Sequence, residues 1–526
     1  MNLSKLLSVV QPSNISNKGD PDISSVVEDS NNVIPGALFV ARRGLVSDGH
    51  EFIPSALDNG AAAVVGELPF AKVCEWFDES NVPYIQVDTS TRALSWCAAA
   101  FRKFPSRNLV MIGVTGTDGK TTTCNIIHSI LCAAGIRTGL ITTVNAVIGD
   151  ETKDTGFHVT TPDAVVLQDL LAQMVDTGMT HCVIEVTSHG LMQHRVSACE
   201  FDIAVLTNIT HEHLDYHGTL ESYMNAKSLL FDQVGSTASK PEINKLAVLN
   251  YDDEQSYSFI KNKINTHLVD YGIDSQSTVK ATNVSIHEGN TSFDVKIGED
   301  CFPVETVLVG QYNISNCLAA IAASYSGLDI HPEHIQAGIA SLERIPGRME
   351  YINIGQDFEA VVDFAHTPNS LRELLVSVRK ITNGRIIVVF GSAGLRDVAK
   401  RSWMGSIAAE FADFTVITAE DPRTESLSDI MAEIASGCEK MGGIESKTFC
   451  KIPDRADAIR FAVSMAISGD MVLACGKAHE QSMCFGSIEY PWDDRVAMYA
   501  AVAERLGMKA DYPPNLPTSE AENQSD

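Results

Sequence analysis

Short runs of uninterrupted apolar residues recur along the chain, each closing on a cluster of polar and glycine positions. The run NLVMIGV (108–114) is apolar on both faces, as a strand buried in a parallel sheet requires. TTTCNIIHSILCAAG (121–135) follows it, with Ile126, Ile127, Ile130, Leu131 and Ala134 at helical spacing and Gly135 placed to end the helix. HCVIEV (181–186) and IAVLTNI (203–209) repeat the strand pattern. Further on, RIIVVFGSAGLRD (385–397), FTVITAEDPRTE (414–425) and DMVLACGKAHE (470–480) are three apolar strands running into polar loops. Near the start, VIPGALFVARRG (33–44) and ALDNGAAAVVG (56–66) read as strand, helix and strand. Strands alternating with helices predict an α/β fold with parallel sheets. Ligands of such sheets bind beyond the carboxyl ends of the strands, where the polar clusters fall.

Breaks in the pattern divide the chain into blocks at 1–105, 106–345 and 346–510, the last opening near PGRME (346–350). Residues 511–526 are rich in Pro, Ser and acids with little to bury, and are expected to form a disordered tail. A length of 526 residues agrees with three domains at roughly 100–200 residues each. The 44% of apolar residues suffices for several cores. A net charge of −28 argues against nonspecific binding to nucleic acid or an anionic membrane, though not against a small anion met by a local cluster of donors. The sequence before Gln11 and Pro12 holds too little apolar length for a secretory segment, which needs roughly 7–15 residues. No run approaches the ~18 residues of a membrane span, so a cytoplasmic protein without membrane insertion is expected; no sequence feature sets the oligomeric state, and a monomer is the expectation. The 12 cysteines are scattered without a C-x-x-C pair, as befits free thiols.

The loop GVTGTDGKTTT (113–123) joins the first central strand to its helix. The usual phosphate-binding pattern G-x-x-x-x-G-K-[ST] would need glycine where Val114 stands. A shorter form, G-x-x-G-K-T, is met from Gly116 to Thr121. Strand, Gly-Lys-Thr and helix N-terminus in that order supply unpaired N–H groups and the positive end of a dipole, which together bind phosphate. Lys120 can reach the β and γ phosphates, and Thr121 offers a hydroxyl to Mg²⁺. Glu185, at the end of its strand, stands where a Mg²⁺-binding carboxylate belongs; a solvated strand-end acid is the plainer alternative. THEHLDYH (210–217) gathers His211, Glu212, His213, Asp215 and His217. Their spacing fits no standard zinc pattern, which leaves a hard-cation and phosphate site or simply polar loop histidines.

Together these segments resemble the Mur ligases, ATP-dependent amide-forming enzymes of peptidoglycan synthesis, over nearly the whole chain before the tail. Within them the chain is similar to members that add the third amino acid to UDP-N-acetylmuramoyl-L-alanyl-D-glutamate. The resemblance implies an N-terminal uridine-nucleotide-binding α/β domain, a central P-loop ATPase domain with a parallel sheet, and a C-terminal Rossmann-like α/β domain that closes over ATP. TGTDGKTT (115–122) matches the family's T-G-T-[ND]-G-K-[ST], implying ATP contacts from Gly116, Thr117, Asp118, Gly119, Lys120, Thr121 and Thr122. Glu185 falls in the family's E-V-[ST]-S-H motif. TNITHEHLDYHGTLESYMNAK (207–227) matches a segment whose final lysine, here Lys227, is carbamylated and holds a second Mg²⁺ with the position of His213. The implied metal set is thus Thr121, Glu185, His213 and carbamylated Lys227. GQYNISNCLAA (310–320) implies Asn316 near adenine; PGRME and VDFAHTPNSL (362–371) imply Arg348 and Asp363 at the nucleotide. Lys120, Glu185, His213, Lys227 and Arg348 form the implied catalytic set. VTTPD (159–163) and its neighbours imply substrate contacts from Thr160, Thr161, Thr187, Gln193 and Arg195. Ser30 is a further implied contact in the first block, but Asn31 follows it where the family usually has arginine.

For the added amino acid, EDPR (420–423) stands where diaminopimelate-adding members carry D-N-P-R. Arg423 favours a distal carboxylate, as a planar fork suits, whereas Asp421 favours a distal ammonium. Arg396, Glu420, Pro422, Gly476 and Glu480 complete the implied site. GSAGLRD (391–397) and GKAHE (476–480), with Ala478, depart from the family's G-C-G-G-D-R-D and G-K-G-H-E. meso-Diaminopimelate is the favoured third residue, with lysine or ornithine as alternatives. The implied reaction phosphorylates the γ-carboxylate of D-glutamate with ATP and then aminates the acyl phosphate. A folylpolyglutamate synthetase-like ligase shares the loop but lacks such a first domain. A non-catalytic nucleotide-binding partner would not need Lys120, Glu185, His213 and Lys227 together.

Overall fold

The computed structural model describes residues 1–16, 19–44, 47–77, 81–153, 160–241, 243–273, 276–287, 290–343 and 345–518. Three principal sheets follow one another along the chain. The first has five strands in the spatial order Asn14–Ser16, Tyr84–Gln86, Ala63–Gly66, Ala37–Val40, Ser25–Val27, the last four parallel. Ala37–Val40 and Ala63–Gly66 are buried at every position because both faces are covered. One face packs on Ile53 and Ala56, the other on Ala93, Leu94 and Cys97 of the helix Ser90–Phe101.

The second sheet has eleven strands, with antiparallel ribbons at both ends of a parallel centre. The strand Val110–Thr115 lies between His181–Glu185 and Ile203–Leu206. The chain leaves it for Thr138–Ile141 on one side and later takes Ile203–Leu206 on the other, so it marks the point where the topology switches direction. Register sets Glu185 beside Val114, immediately under the glycine loop. A slip of one residue would turn Glu185 to the opposite face. Helices Lys120–Ala133, Gln311–Ile321 and Pro332–Ser341 cover one face of this sheet; Ala164–Asp176 and Leu220–Ser236 cover the other.

The third sheet has six strands in the order Glu350–Tyr351, Glu359–Asp363, Met471–Cys475, Ile386–Phe390, Phe414–Ile417, Phe449–Lys451, all parallel but the first. Its loops rest on a fully buried ion pair. Arg455 donates twice to Asp494 at 2.7 Å, and to the carbonyls of Ala419 at 3.1 Å and Cys475 at 2.8 Å. Asp494 also accepts from Trp492 Nε1 at 2.8 Å and the Ala478 amide at 2.9 Å. Burying two charges is tolerable only with such full hydrogen bonding.

The end of the chain departs from the sequence expectation. Leu516 is buried, the Tyr512 ring lies 4.5 Å from the Arg460 guanidinium, and Thr518 Oγ1 donates to Asp454 at 2.9 Å. Two hydrophobic anchors within a polar composition are enough to hold residues 511–518 against the third domain. The rest of the expected tail, 519–526, lies outside the described residues. Among the described residues no helix is long and apolar enough to cross a membrane.

Replacing Asp494 by alanine leaves Arg455 charged and unpaired in the interior. A loss of about 3–5 kcal/mol in unfolding free energy is expected, read from the denaturant midpoint. An unmoved midpoint would show that the pair does not hold these loops.

Candidate active site

The glycine loop is braced by the end of the neighbouring strand. The Thr117 amide donates to the Asn208 carbonyl at 2.7 Å and the Asp118 amide to Asn208 Oδ1 at 3.0 Å. Gly119 has φ +82°, a conformation that favours glycine, and a Cβ there would sit 2.3 Å from Asn316 Oδ1 and displace that amide. Asn316, expected near adenine, therefore lies against the loop itself; its Oδ1 also accepts from Thr123 Oγ1 at 3.4 Å.

Lys120 Nζ folds back on the Thr117 carbonyl at 2.8 Å and lies 3.9 Å from Glu185 Oε1. Thr121 Oγ1 donates to Glu185 Oε2 at 2.9 Å, and Thr143 adds its amide at 3.2 Å and hydroxyl at 3.0 Å. Thr122 is buried behind them. The third domain reaches this point directly. Arg348 Nη2 donates to Thr121 Oγ1 at 3.1 Å while its guanidinium lies 4.6 Å from the Phe364 ring. Asp363 is gripped by the amides of Met349 at 2.7 Å and Ala365 at 2.8 Å. Asn369 and Thr367 donate to Asp118 at 3.0 and 3.4 Å.

Lys227 is buried below the loop, its Nζ donating to the Gly116 carbonyl at 2.7 Å and lying 4.5 Å from the Tyr223 ring. Burial, then the charge of Lys120, holds its ammonium well below the usual lysine range. His213 adopts φ +54°, and its ring meets His189 at 4.8 Å and Tyr223 at 6.2 Å. Burial, then the neighbouring His189 and Lys227, keeps it neutral. Among the described residues no three His, Cys, Asp or Glu side chains form a ready-made metal cage. The oxygens of Thr121 and Glu185 nonetheless fit Mg²⁺, which completes its shell with water and phosphate.

Beside Glu185, Thr161 Oγ1 donates to the Glu185 carbonyl at 3.0 Å and meets Thr187 Oγ1 at 3.1 Å. Arg195 donates to the Thr161 carbonyl at 2.7 Å and to Gln193 Oε1 at 2.8 Å, and pairs with Asp163 at 3.1 Å. Val159 lies outside the described residues. Ser30 does not join this group: it opens a short turn in the first domain, where its carbonyl accepts from Asn59 at 3.0 Å.

One cleft of about 1480 Å³ links the phosphate loop, Thr160, Thr161, Thr187, Gln193 and Arg195 with Arg396, Glu420, Asp421, Arg423, Gly476 and Glu480. Pro422 is buried and does not line it. Leu395, Asp421, Arg423 and Ala478 all have positive φ, so the backbone is strained where these loops meet. Lys477, which lies within the GKAHE motif but was given no role from the sequence, is buried with Nζ 3.0 Å from Asp421 Oδ1 and 2.5 Å from Glu480 Oε2. The charge of Asp421 is thus met from inside the protein, which removes the reason for reading it as a receptor for a distal ammonium. Among the described residues neither Arg396 nor Arg423 has an ion-pair partner. Burial, then the charge of Arg423, disfavours the cation of Arg396. Glu420 is pushed up to about 7 by burial, and so is Glu212, which lies 3.9 Å from both Lys400 and His366. Thr143, Lys400 and Asn369 were not legible as site residues; strand order brings the first here, and the packing of the third domain on the second brings the other two.

Residues 22–102 match the Mur ligase family catalytic domain, 114–324 the Mur ligase middle domain, and 347–478 the Mur ligase, glutamate ligase domain. The chain is 40% identical over 506 residues to the UDP-N-acetylmuramoyl-L-alanyl-D-glutamate--2,6-diaminopimelate ligase of Geobacillus thermodenitrificans (strain NG80-2), spanning 96% of this chain and 100% of that protein. It is 42% identical over 495 residues to the UDP-N-acetylmuramyl-tripeptide synthetase of Roseiflexus sp. (strain RS-1), spanning 92% and 95%. A solved structure of a UDP-N-acetylmuramoyl-L-alanyl-D-glutamate--2,6-diaminopimelate ligase aligns with TM-score 0.62 at 28% identity, over 92% of this chain and 95% of that one.

Gly119→Ala should weaken ATP binding about tenfold or more, since a left-handed alanine costs about 1–2 kcal/mol before the overlap with Asn316 is counted. Titration calorimetry measures this; an unchanged dissociation constant would mean the loop has room that its geometry denies.

Proposed function

The chain belongs to the Mur ligase family, whose members are ATP-dependent ligases, and on that premise we propose that it joins meso-diaminopimelate to UDP-N-acetylmuramoyl-L-alanyl-D-glutamate in peptidoglycan synthesis. The observation that carries this reading is the single cleft. It is lined at one place by a phosphate loop, at a second by the Thr161 and Arg195 group, and at a third by two guanidinium groups facing acids. Three reactants need three such places within reach of one another. The fully spanned relatives favour this reading over a folylpolyglutamate synthetase-like ligase.

In this reading the triphosphate lies along residues 116–122 with Lys120 toward its β and γ phosphates. Bound Mg²⁺ supplies charge neutralisation, held from the Thr121 and Glu185 side. The buried amine of Lys227, its ammonium form disfavoured by burial and by Lys120, is suited to take up CO₂ as a carbamate, with His213 beside it. The carbamate would turn a cation into an oxygen ligand. The γ-carboxylate of the D-glutamyl residue, positioned from the Thr161 and Arg195 side, attacks the γ-phosphorus and ADP departs. The amine of the incoming amino acid then attacks the acyl carbon, phosphate leaves with its bonding pair, and the nitrogen gives up a proton. Lys120 and Arg348 offset the negative charge that gathers as two anions meet. Alignment supplies much of the remaining rate, and no covalent protein nucleophile is needed.

Diaminopimelate is favoured over lysine because Arg396 and Arg423 have no close ion-pair partner among the described residues, the acids Asp215, Asp421 and Glu212 acting on Arg396 only from a greater distance. A distal carboxylate satisfies both, in the bidentate manner that guanidinium groups allow. Lysine offers no distal carboxylate for them to grip.

Phosphate release should require ATP, the UDP-dipeptide and an amino acid together, with kcat/KM for meso-diaminopimelate exceeding that for lysine or ornithine by about 10²-fold. Turnover with lysine alone would refute the amino-acid assignment and leave the ligase assignment standing. Lys227→Ala should lower kcat by about 10²-fold or more, with partial recovery when a short carboxylic acid is added. Normal turnover in that variant would remove the carbamate from the mechanism.

A further inference from the structure

Arg396 and Arg423 stand on separate loops, 391–397 and 420–425, and two guanidinium groups brought together repel. The charge of Arg423 works against the Arg396 cation, so contacts that fix the two loops relative to each other oppose that repulsion. Resting on the reading above, we infer that Glu425 and Arg401 form a clamp that holds Arg396 opposite Arg423 before the amino acid arrives. Neither clamp residue lines the cleft. Glu425 Oε1 accepts the amide of Leu395, the residue immediately before Arg396. Its Oε2 accepts from Arg401 Nη2 at 2.8 Å, and the same nitrogen lies 3.4 Å from the Ala393 carbonyl. Arg401 is buried and anchored at its other end to Glu433 at 2.9 Å. The Gly394 amide, donating to the Asp421 carbonyl at 2.9 Å, is the backbone contact that the clamp reinforces.

The clamp acts where the backbone needs holding. Leu395 has φ +57° and Arg423 φ +53°, conformations that side-chain-bearing residues leave when nothing fixes them. The Leu395 amide, then Arg401, holds the Glu425 carboxyl below the usual carboxylate range, so the clamp stays charged at neutral pH. A site set in advance spends less binding free energy on ordering. Glu425 and Arg401 are therefore positioning residues for the distal carboxylate, with no part in the phosphate chemistry.

The test compares wild type with Glu425→Ala and Glu425→Gln in the full chain. Glu425→Ala should raise KM for meso-diaminopimelate about tenfold or more while KM for ATP and for the UDP-dipeptide, and kcat at saturation, stay within about twofold. KM for lysine, which has no distal carboxylate, should hold steady, and Glu425→Gln, which keeps the acceptor but not the charge, should fall between. Hydrogen exchange over residues 391–398 should quicken in Glu425→Ala without any ligand present. Unchanged exchange together with an unchanged KM for meso-diaminopimelate would overturn the clamp. So would a parallel rise of all the KM values with a lowered Tm, which would mark a general loss of structure. If wild type uses lysine and ignores meso-diaminopimelate, the proposed substrate falls, while the exchange rate at 391–398 still decides whether the clamp exists.

Discussion

The hydroxyl of Thr121 is where this molecule closes on itself. It donates to Glu185, 64 positions along the chain, and accepts from Arg348, 227 positions along. One side of that contact is a matter of strand register in the central sheet; the other is the docking of the third domain. Neither domain alone holds the full cleft, since Arg396, Asp421 and Arg423 come from one and Lys120, Thr161 and Arg195 from the other. The second bridge, from Asn369 and Thr367 to Asp118, meets the same loop from the far side. The third domain thus grips the phosphate loop from two positions, Arg348 on Thr121 and Asn369 with Thr367 on Asp118.

Inside the cleft, burial works against charge throughout. It lowers Lys227 and raises Glu212 and Glu420 to about 7, so each buried group leans toward its neutral form in the protein alone. The charges arrive with the ligands: a triphosphate, a cation, a zwitterionic amino acid. The overall charge of −28 says little about this, because it is a property of the surface while the cleft is built from a few donors. Local donors decide what binds, which is how so acidic a chain forms an anion site.

The strands and the loop-to-helix junction were legible because a buried parallel strand is apolar on both faces and its carboxyl end must turn polar. Glu185 could be read from position alone. Lys227 could not: a lysine within a helix is ordinarily a solvated residue, and only resemblance to a family pointed to it. Thr143 was illegible because its partner Glu185 is fixed by the lateral order of strands, and Lys400 and Asn369 because theirs, Glu212 and Asp118, are met only when the third domain docks on the second. Asp421 shows the cost of reading one charge without its neighbour, since the lysine that meets it lies 56 positions away. Asn316 was expected near adenine, and spacing could not reveal that its amide lies against Gly119. The closing segment was judged by composition, and Leu516 shows that one buried side chain outweighs a polar average.

Ala478 ties stability to function. It stands where the family has glycine, with φ +45°, and it is fully buried. A left-handed alanine costs about 1–2 kcal/mol relative to a relaxed backbone, and the strain persists only if the surroundings leave no alternative. Those surroundings are on hand: the Ala478 amide donates to Asp494, whose other oxygen and charge are committed to Arg455. Arg455 in turn holds the carbonyls of Ala419 and Cys475, the residues that lead into Glu420 and Gly476. The buried ion pair is thus more than a brace for the third domain. It fixes two strand ends and a strained turn at once, so the shape of the amino-acid end of the cleft is set from beneath by a charge pair that never touches the substrate.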